Sequence, residues 1–300
     1  MTVTERIHRW LFRRAVRGIL QTPPVAPGRA AFIALSMVHQ RDVLPWLLAI
    51  KTFAHHAAPQ RIVVVADPSL DSADRALMRH HVPQLEFVEA ADFRAPGLPV
   101  GGTWERLSAI SVLCAEMPVV QLDADTMTFS RPEQVLRAVE SGRSFVIRSE
   151  AGVQLQTLDA TAAHGRTLLA TSDHIQARAE AQMTDLPDWQ TRLYVRGCSG
   201  FTGFARGALT PERLADTSLA MRSIHGARWD DWGTEQVSSN LLAASAPGAI
   251  LLNHPDYCNA DSKTADSVVV HFIGYARHVN RDYERLARAA IALLRRGTIA

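Results

Sequence analysis

Apolar and basic residues recur with helical spacing over residues 5–20, which predicts a basic amphipathic helix. At about 100° per residue, one face of this helix is apolar and holds Ile7, Leu11, Phe12, Ala15 and Ile19. The opposite face is basic and holds Arg6, Arg9, Arg13 and Arg17. Such a helix could dock on the protein's own core with a solvated arginine face, or touch an anionic inner membrane peripherally. The proline-rich segment 21–28 then ends the helix and forms a linker.

Over the next sixty residues, short apolar runs typical of buried strands alternate with segments whose apolar residues have helical spacing. Buried strands are predicted at Ala31–Val38, Arg61–Asp67 and Leu85–Glu89, and helices at Val43–His56 and Ser72–His81. Strands that alternate with helices form a doubly wound, mainly parallel sheet with helices on both faces. An α/β fold of that class is therefore expected.

Ligands of such sheets bind beyond the carboxyl ends of the strands. Ser36 and Asp67 lie at the ends of the first two strands, so they are candidates to hold a nucleotide base or ribose. The alternative is that each polar residue only terminates its strand.

The second half has a less regular pattern. It predicts helices at Ala177–Met183, Ser238–Ala244 and Arg281–Arg296 and a strand at Val268–Phe272. Strand-like and turn-like character mixes over Arg192–Arg206, where Gly197, Gly200 and Gly203 are expected to interrupt any regular structure. The chain is thus divided into an N-terminal helix and linker (1–28), a nucleotide-binding half (29–150), an acceptor-side half (151–280) and a C-terminal helix (281–300).

Composition narrows the class of protein. A formal net charge of only +2 over 300 residues gives no field suited to nucleic acid. Cys114, Cys198 and Cys258 show no metal-binding spacing and fit a reducing compartment. No apolar run approaches the about 20 residues that span a bilayer. A cytoplasmic protein, with or without membrane contact on that side, is expected.

The strongest candidate for chemistry is Val119–Asp125, an apolar strand that delivers Asp123 and Asp125 to its carboxyl end. Residues i and i+2 share a face of a strand, so both carboxylates can reach one hard cation. Mg²⁺ or Mn²⁺ held this way bridges phosphate oxygens. An aspartate pair of this spacing also occurs in ordinary turns.

A second candidate is the segment from His271 to Arg277, which follows the apolar strand residues 268–270. His271 could complete the coordination of the metal. Gly274 would let the backbone approach a ligand closely, and Arg277 would pair with phosphate oxygens. A lone histidine on a strand is otherwise a common structural residue.

These segments resemble glycosyltransferase family 8, the glycogenin and bacterial galactosyltransferase type, over residues 30–278. Four motifs occur in the family's order: Arg106-Leu107 before the aspartate pair, Cys198-Ser199-Gly200, Glu235-Gln236, and His271 with Gly274 and Arg277. Three positions depart from the family pattern. Cys198 replaces an asparagine, Val237 an acid, and Arg277 a lysine.

The resemblance implies a GT-A fold and a retaining transfer of sugar from a nucleotide diphosphate sugar, with bound Mn²⁺ or Mg²⁺. It implies that Asp123, Asp125 and His271 hold the metal and that Arg106 grips the donor. Arg277 would neutralise the leaving group, and Glu235 with Gln236 would line the reacting face of the sugar. The acceptor could be a saccharide, a lipid-linked molecule or a small molecule.

The stretch from Trp229 to Trp232 adds Asp230, Asp231 and two rings beside Glu235. The rings could stack on sugars, and Asp231 could orient or deprotonate an acceptor hydroxyl. If Asp230, Asp231 or Glu235 were a general base placed for in-line attack, the enzyme would invert. The structural alternative is a helix N-terminus with packed tryptophans.

Two other classes of protein share parts of this pattern. A phosphatase of the haloacid dehalogenase type also has an apolar strand ending in two aspartates, but Met127 stands where it needs threonine or valine. A non-catalytic relative would bind nucleotide sugar without turnover, and the intact Asp123, Asp125 and His271 argue against it.

Overall fold

The computed structural model describes residues 2–297. Its helices are α1 (Val3–Val16), α2 (Val43–Ala57), α3 (Ser72–His81), α4 (Trp104–Leu113), α5 (Glu133–Glu140), α6 (Leu158–Leu168), α7 (Ile175–Ala181), α8 (Pro211–His225), α9 (Thr234–Ala244) and α10 (Asp282–Arg295). Its strands are β1 (Ala30–Val38), β2 (Pro59–Ala66), β3 (Leu85–Glu89), β4 (Val119–Leu122), β5 (Thr126–Thr128), β6 (Phe145–Arg148), β7 (Gln156–Thr157), β8 (Leu193–Tyr194), β9 (Gly197–Phe204), β10 (Ile250–Leu251), β11 (Tyr257–Asn259) and β12 (Val269–His271).

Seven strands form the central sheet in the order β10-β6-β9-β4-β1-β2-β3. Neighbouring strands pair in parallel, except that β9 runs antiparallel to both β4 and β6. A smaller sheet has the order β11-β12-β5, in which β12 pairs antiparallel with β5. The predicted α/β fold with a mainly parallel sheet is confirmed.

Both faces of the large sheet are buried, as β1 illustrates. Phe32 and Ala34 belong to a core that includes residues of α2 and α10. Ile33 and Leu35 belong to a second core that includes residues of α4 and α9. Successive side chains of a strand point to opposite faces, so an unbroken apolar strand requires a helical layer on each side.

The glycines of residues 192–206 do not end the strand, contrary to expectation, but the pairing of β9 with β6 shifts register between Cys198 and Thr202, around Gly200. β9 is an eight-residue strand whose residues are all buried. A Cβ at Gly203 would lie 2.0 Å from the Phe145 ring, and a Cβ at Gly197 2.5 Å from Val146. Glycine is needed here because side chains of β6 cross directly over the strand.

α1 packs against the C-terminal helix α10. Phe12 stacks on Tyr283 with a centroid separation of 3.8 Å, and Phe12, Ala15 and Val16 are buried. Ile7, predicted for the same face, is instead 52% exposed. A 3₁₀ turn over Arg17–Gln21 continues the chain and rotates later side chains relative to an α-helix. None of the helices within residues 2–297 combines the length and apolar character of a membrane span.

Candidate functional site

The aspartate pair lies in a tight turn between the two sheets. β4 ends at Leu122, and the Asp123 amide donates to the Gly200 carbonyl of β9 at 2.8 Å. The Thr126 amide donates back to the Asp123 carbonyl at 3.1 Å and starts β5. Both carboxylates are therefore fixed at the carboxyl end of a central parallel strand, where such sheets bind ligands.

His271 reaches this turn because its strand pairs with β5, opposite Thr126. Its Nε2 lies 3.2 Å from Asp125 Oδ1 and 3.8 Å from Asp123 Oδ2. One ligand atom from each of the three residues lies within 4.8 Å of the others. The structure thus brings together two segments nearly 150 residues apart, as the sequence predicted. We call Asp123, Asp125 and His271 the carboxylate cluster.

The other ring nitrogen of His271 is held by residues that the sequence did not single out. Nδ1 lies 3.2 Å from Asn259 Oδ1 and 3.1 Å from Cys198 Sγ. The Asn259 amide nitrogen donates to the Ser149 carbonyl at 2.9 Å, which turns its oxygen toward the imidazole. Nδ1 then carries a hydrogen, and Nε2 is the ring nitrogen that faces the carboxylates.

Gly200 makes room for the imidazole. A Cβ at this position would lie 2.4 Å from the His271 ring. The glycine that resembles a family turn is therefore explained here by the close packing of β9 against His271 of β12. Asn259 carried no motif in the sequence, and only the pairing of β11 with β12 identifies it.

Two arginines balance the charge of the cluster. The buried Arg106 on α4 pairs with Asp123 and places Nη2 3.0 Å from Glu235 Oε1. Arg277 pairs with Asp125, and its Nε donates to the Phe272 carbonyl at 3.0 Å. The aspartates, Glu235, and both arginines form one continuous ionic network with His271 at its centre.

The network shifts the proton affinities of its members. Burial favours neutral Asp125, but His271 and Arg277 outweigh burial and lower its pKa to about 2. Burial also disfavours protonated His271, yet Cys198 and Asp125 outweigh it and raise the His271 pKa well above its usual value. Burial raises the Glu235 pKa, an effect that Arg106 opposes. The pKa shifts of Asp125 and His271 therefore have the direction set by neighbouring opposite charge and not by burial.

The residues expected to act on the sugar are placed differently from one another. Glu235 is buried at the start of α9 and accepts hydrogen bonds from Thr103 at 3.1 Å and Ser199 at 3.2 Å. The half-buried Gln236 donates to Gln176 at 3.4 Å. Asp231 is exposed and pairs with Arg228 at 3.0 Å. Arg106 thus connects Glu235, but not Asp231, to the aspartate pair.

The remaining residues of the tryptophan-aspartate stretch separate into core and surface. Trp229 is fully buried against Trp104, so the interpretation of its ring as a sugar platform was wrong. Asp230 pairs with Arg222 on α8 at the molecular surface. Trp232 is 75% exposed, and its ring is free to contact a ligand.

Three further predicted residues lie near strand ends. The Ser36 hydroxyl is buried and donates to the Leu122 carbonyl at 2.7 Å, which ties β1 to β4. Asp67 is partly exposed, accepts from the Ser69 amide at 2.9 Å, and lies 3.0 Å from His39. A Cβ on Gly274 would meet no described atom within 4 Å, so open space adjoins that backbone.

The carboxylate cluster fits a divalent cation by donor type and spacing. Two carboxylates and one imidazole suit Mn²⁺, and the separations between ligand atoms match a shared coordination sphere. The Asn259 contact supplies the outer support that metal-binding histidines usually have. A bound ion would displace the proton that His271 otherwise favours.

Comparison with known proteins gives structural matches at low sequence identity. The apo structure of the bifunctional glycosyltransferase WbbM matches with a TM-score of 0.53 and 13% identity, over 89% of this chain and 53% of that one. An active-site mutant of LgtC matches with a TM-score of 0.50 and 12% identity, over 87% of this chain and 94% of that one.

The galactosyltransferase LgtC in complex with donor and acceptor sugar analogs gives a TM-score of 0.49 and 13% identity, over 89% of this chain and 96% of that one. Neither a protein-family model nor a curated protein sequence matches the chain. Matches at this identity establish the fold alone. With a mainly parallel sheet, one antiparallel strand and an aspartate pair after β4, the chain has the GT-A fold of glycosyltransferases.

Proposed function

We propose that this protein is a metal-dependent glycosyltransferase that moves a sugar from a nucleotide diphosphate sugar to an acceptor. The observation that carries the proposal is the convergence of Asp123, Asp125 and His271 at the carboxyl edge of the sheet. Two carboxylates and one imidazole at this edge would hold a cation that supplies positive charge to a diphosphate.

Asp123, Asp125 and His271 would hold Mn²⁺ or Mg²⁺, which when bound supplies positive charge beside the diphosphate. Arg277 is partly exposed and already pairs with Asp125, so its guanidinium can extend its fork of donors to phosphate oxygens. Arg106 is nearly inaccessible, and its two terminal nitrogens pair with Asp123 and Glu235, while its buried Nε has no hydrogen-bond partner among the described residues. We therefore assign Arg106 to positioning these acids rather than to direct contact with the donor.

We propose transfer with retention. An inverting enzyme needs a carboxylate free to take the acceptor proton. Glu235 is buried and ion-paired with Arg106, while Asp230 and Asp231 pair with arginines outside the carboxylate cluster. Gln236, with Glu235, lines the face of the sugar in this proposal. The exposed Trp232 favours a saccharide acceptor, free or lipid-linked, over other small molecules.

We also propose that the protein works in the cytoplasm. All three cysteines are free and buried, which suits a reducing compartment. Measuring the protein in cytosolic and membrane fractions of its host, after washes at low and high salt, tests the location. A protein recovered only from an oxidising compartment would contradict it.

The test of activity is hydrolysis or transfer of nucleotide sugars with Mn²⁺. Asp125→Ala is expected to lower the rate at least about a thousandfold, because it removes a ligand and the partner of Arg277. Asp92→Ala, which changes an exposed aspartate outside the ionic network, is the matched control. Full activity of Asp125→Ala in a chelated buffer would contradict metal dependence, and turnover of generic phosphate esters instead would favour a phosphatase.

A further inference from the structure

The solvent-facing side of α1 carries an apolar stripe that the fold leaves uncovered. Val3, Ile7 and Trp10 follow one another at spacings of four and three residues, which places them on one face of the helix. Their exposed fractions are 73%, 52% and 57%. Large apolar side chains grouped in this way on a surface indicate an interaction site.

Arginines surround this stripe. Four exposed arginines lie on the same side of the helix as the stripe: Arg6, Arg13, Arg14 and Arg17. The Arg14 guanidinium is 5.8 Å from the centroid of the Trp10 ring. Within residues 2–297, none of these four forms an ion pair with a carboxylate. They differ from Arg285 and Arg288 of α10, and from Arg281 just before it, which all pair with acids.

The opposite side of α1 fixes the helix to the protein. Phe12 stacks on Tyr283, and His8 Nδ1 lies 2.9 Å from the His278 carbonyl oxygen. At the N-terminus, Thr2 and Glu5 form a reciprocal capping box. The exposed stripe is consequently part of a preformed helix, and binding through it needs no folding of a disordered segment.

We propose that the outward face of α1 binds the surface of a bilayer that contains anionic phospholipids. Val3, Ile7 and Trp10 would enter the boundary between head groups and acyl chains, and the unpaired arginines would bind lipid phosphates. A second copy of this chain fits poorly, because a two-fold contact would bring two sets of unpaired arginines together. This inference is independent of the proposed sugar transfer.

Sedimentation of the full-length protein with vesicles tests the proposal. Binding to phosphatidylcholine vesicles that also contain phosphatidylglycerol is expected, and it should fall steeply with added salt. Vesicles of phosphatidylcholine alone should bind much less. Failure to sediment with the anionic vesicles at low salt would overturn the proposal.

Two variants assign the binding to α1. Neutralising Arg6, Arg13 and Arg14 together to Gln is expected to weaken binding about a hundredfold, since each basic residue near an anionic surface contributes roughly a factor of five. The matched control changes Arg29, Arg41 and Arg131 to Gln, the same charge change elsewhere on the surface. Equal losses in both triple variants would overturn the assignment to α1.

Trp10→Ala tests the apolar part and is expected to weaken binding about tenfold. Trp232→Ala, another exposed tryptophan, should leave vesicle binding unchanged. Trp10 is on the surface, so the variant should keep the thermal unfolding midpoint of the wild type. If light scattering instead shows dimers that Trp10→Ala dissociates, the stripe joins two copies and the membrane proposal is wrong.

Discussion

Two buried ionic groups in this protein differ in what their carboxylates contact. Glu180, 1% exposed, accepts from Tyr194 at 2.9 Å and Gln176 at 3.1 Å through one oxygen and pairs with Arg196 through the other. We call these four residues the Glu180 cluster. In the carboxylate cluster, by contrast, Asp123 and Asp125 converge on a single histidine nitrogen.

The difference favours a structural role for the Glu180 cluster and ligand binding for the carboxylate cluster. The Glu180 carboxylate has its oxygens taken by side-chain donors, so it gains little from a ligand. Asp123 and Asp125 also pair with arginines, but both carboxylates converge on one imidazole nitrogen. Like charges meet there, and a divalent cation would relieve their repulsion. Both groups are buried and charged, so burial alone does not identify the functional one.

Glu180→Ala should produce the largest loss of stability. It leaves Arg196 without its partner and orphans the buried Tyr194 hydroxyl and Gln176 amide, a change that costs about 3 kcal/mol or more. Urea unfolding measures the free energy, with the exposed Glu140→Ala as control. The folded variant should keep its response to nucleotide and Mn²⁺. Loss of that response at full stability would show that the Glu180 cluster belongs to the binding site.

Gly200→Ala should affect the carboxylate cluster at a smaller cost in stability. The new methyl group would overlap the His271 ring, so the ring must move or β9 must shift, at about 1–3 kcal/mol. Displacement by about 1 Å is expected to lower the transfer rate about a hundredfold. Gly274→Ala, which has open space around it, is the matched control for stability. Wild-type activity of Gly200→Ala would contradict the assigned position of His271.

A third buried ionisable group, Lys51 on α2, gives a test that depends on pH and does not involve the site. Its Nζ donates to Thr22 Oγ1 at 2.7 Å and to the Pro23 carbonyl at 2.6 Å, which fastens the linker to the fold. Burial lowers the Lys51 pKa from 10.5 to about 8. Between these pH values the unfolded chain binds the extra proton, so stability should rise with pH there, by about 2 kcal/mol.

The pH dependence of urea unfolding, compared between wild type and Lys51→Met, isolates this contribution. The stability of the wild type relative to the variant should increase from pH 8 to pH 10.5. A difference that is independent of pH would mean that Lys51 keeps an ordinary pKa and is better solvated than the structure indicates.

The sequence predicted the first half of the fold because its elements follow local patterns. The helix at Ser72–His81 and the strand at Leu85–Glu89 have the predicted bounds. β9 could not be predicted from its glycines, since the reason for each glycine is a side chain distant in sequence. Helix α4, which positions Arg106, is buried on most of its surface and shows little amphipathic pattern.

The candidate site, like the fold, was predictable where its residues follow local patterns. The aspartate pair follows an apolar strand, and His271 ends another, so strand ends identified them. Asn259, Gln176 and the pairing of Arg106 with Glu235 depend on contacts between elements. Trp229 was misinterpreted because a core tryptophan and a ligand-stacking tryptophan have the same appearance in a sequence.

In the proposed function, the carboxylate cluster binds a divalent cation together with a nucleotide diphosphate. Thermal unfolding of wild type and Asp125→Ala, with a panel of nucleoside diphosphates in the presence and absence of Mn²⁺, tests it most directly. A ligand that binds only the folded state raises the unfolding midpoint. We predict a rise in wild type that requires both Mn²⁺ and one nucleotide and is lost in Asp125→Ala. An equal rise in the variant, or one independent of Mn²⁺, would contradict the claim.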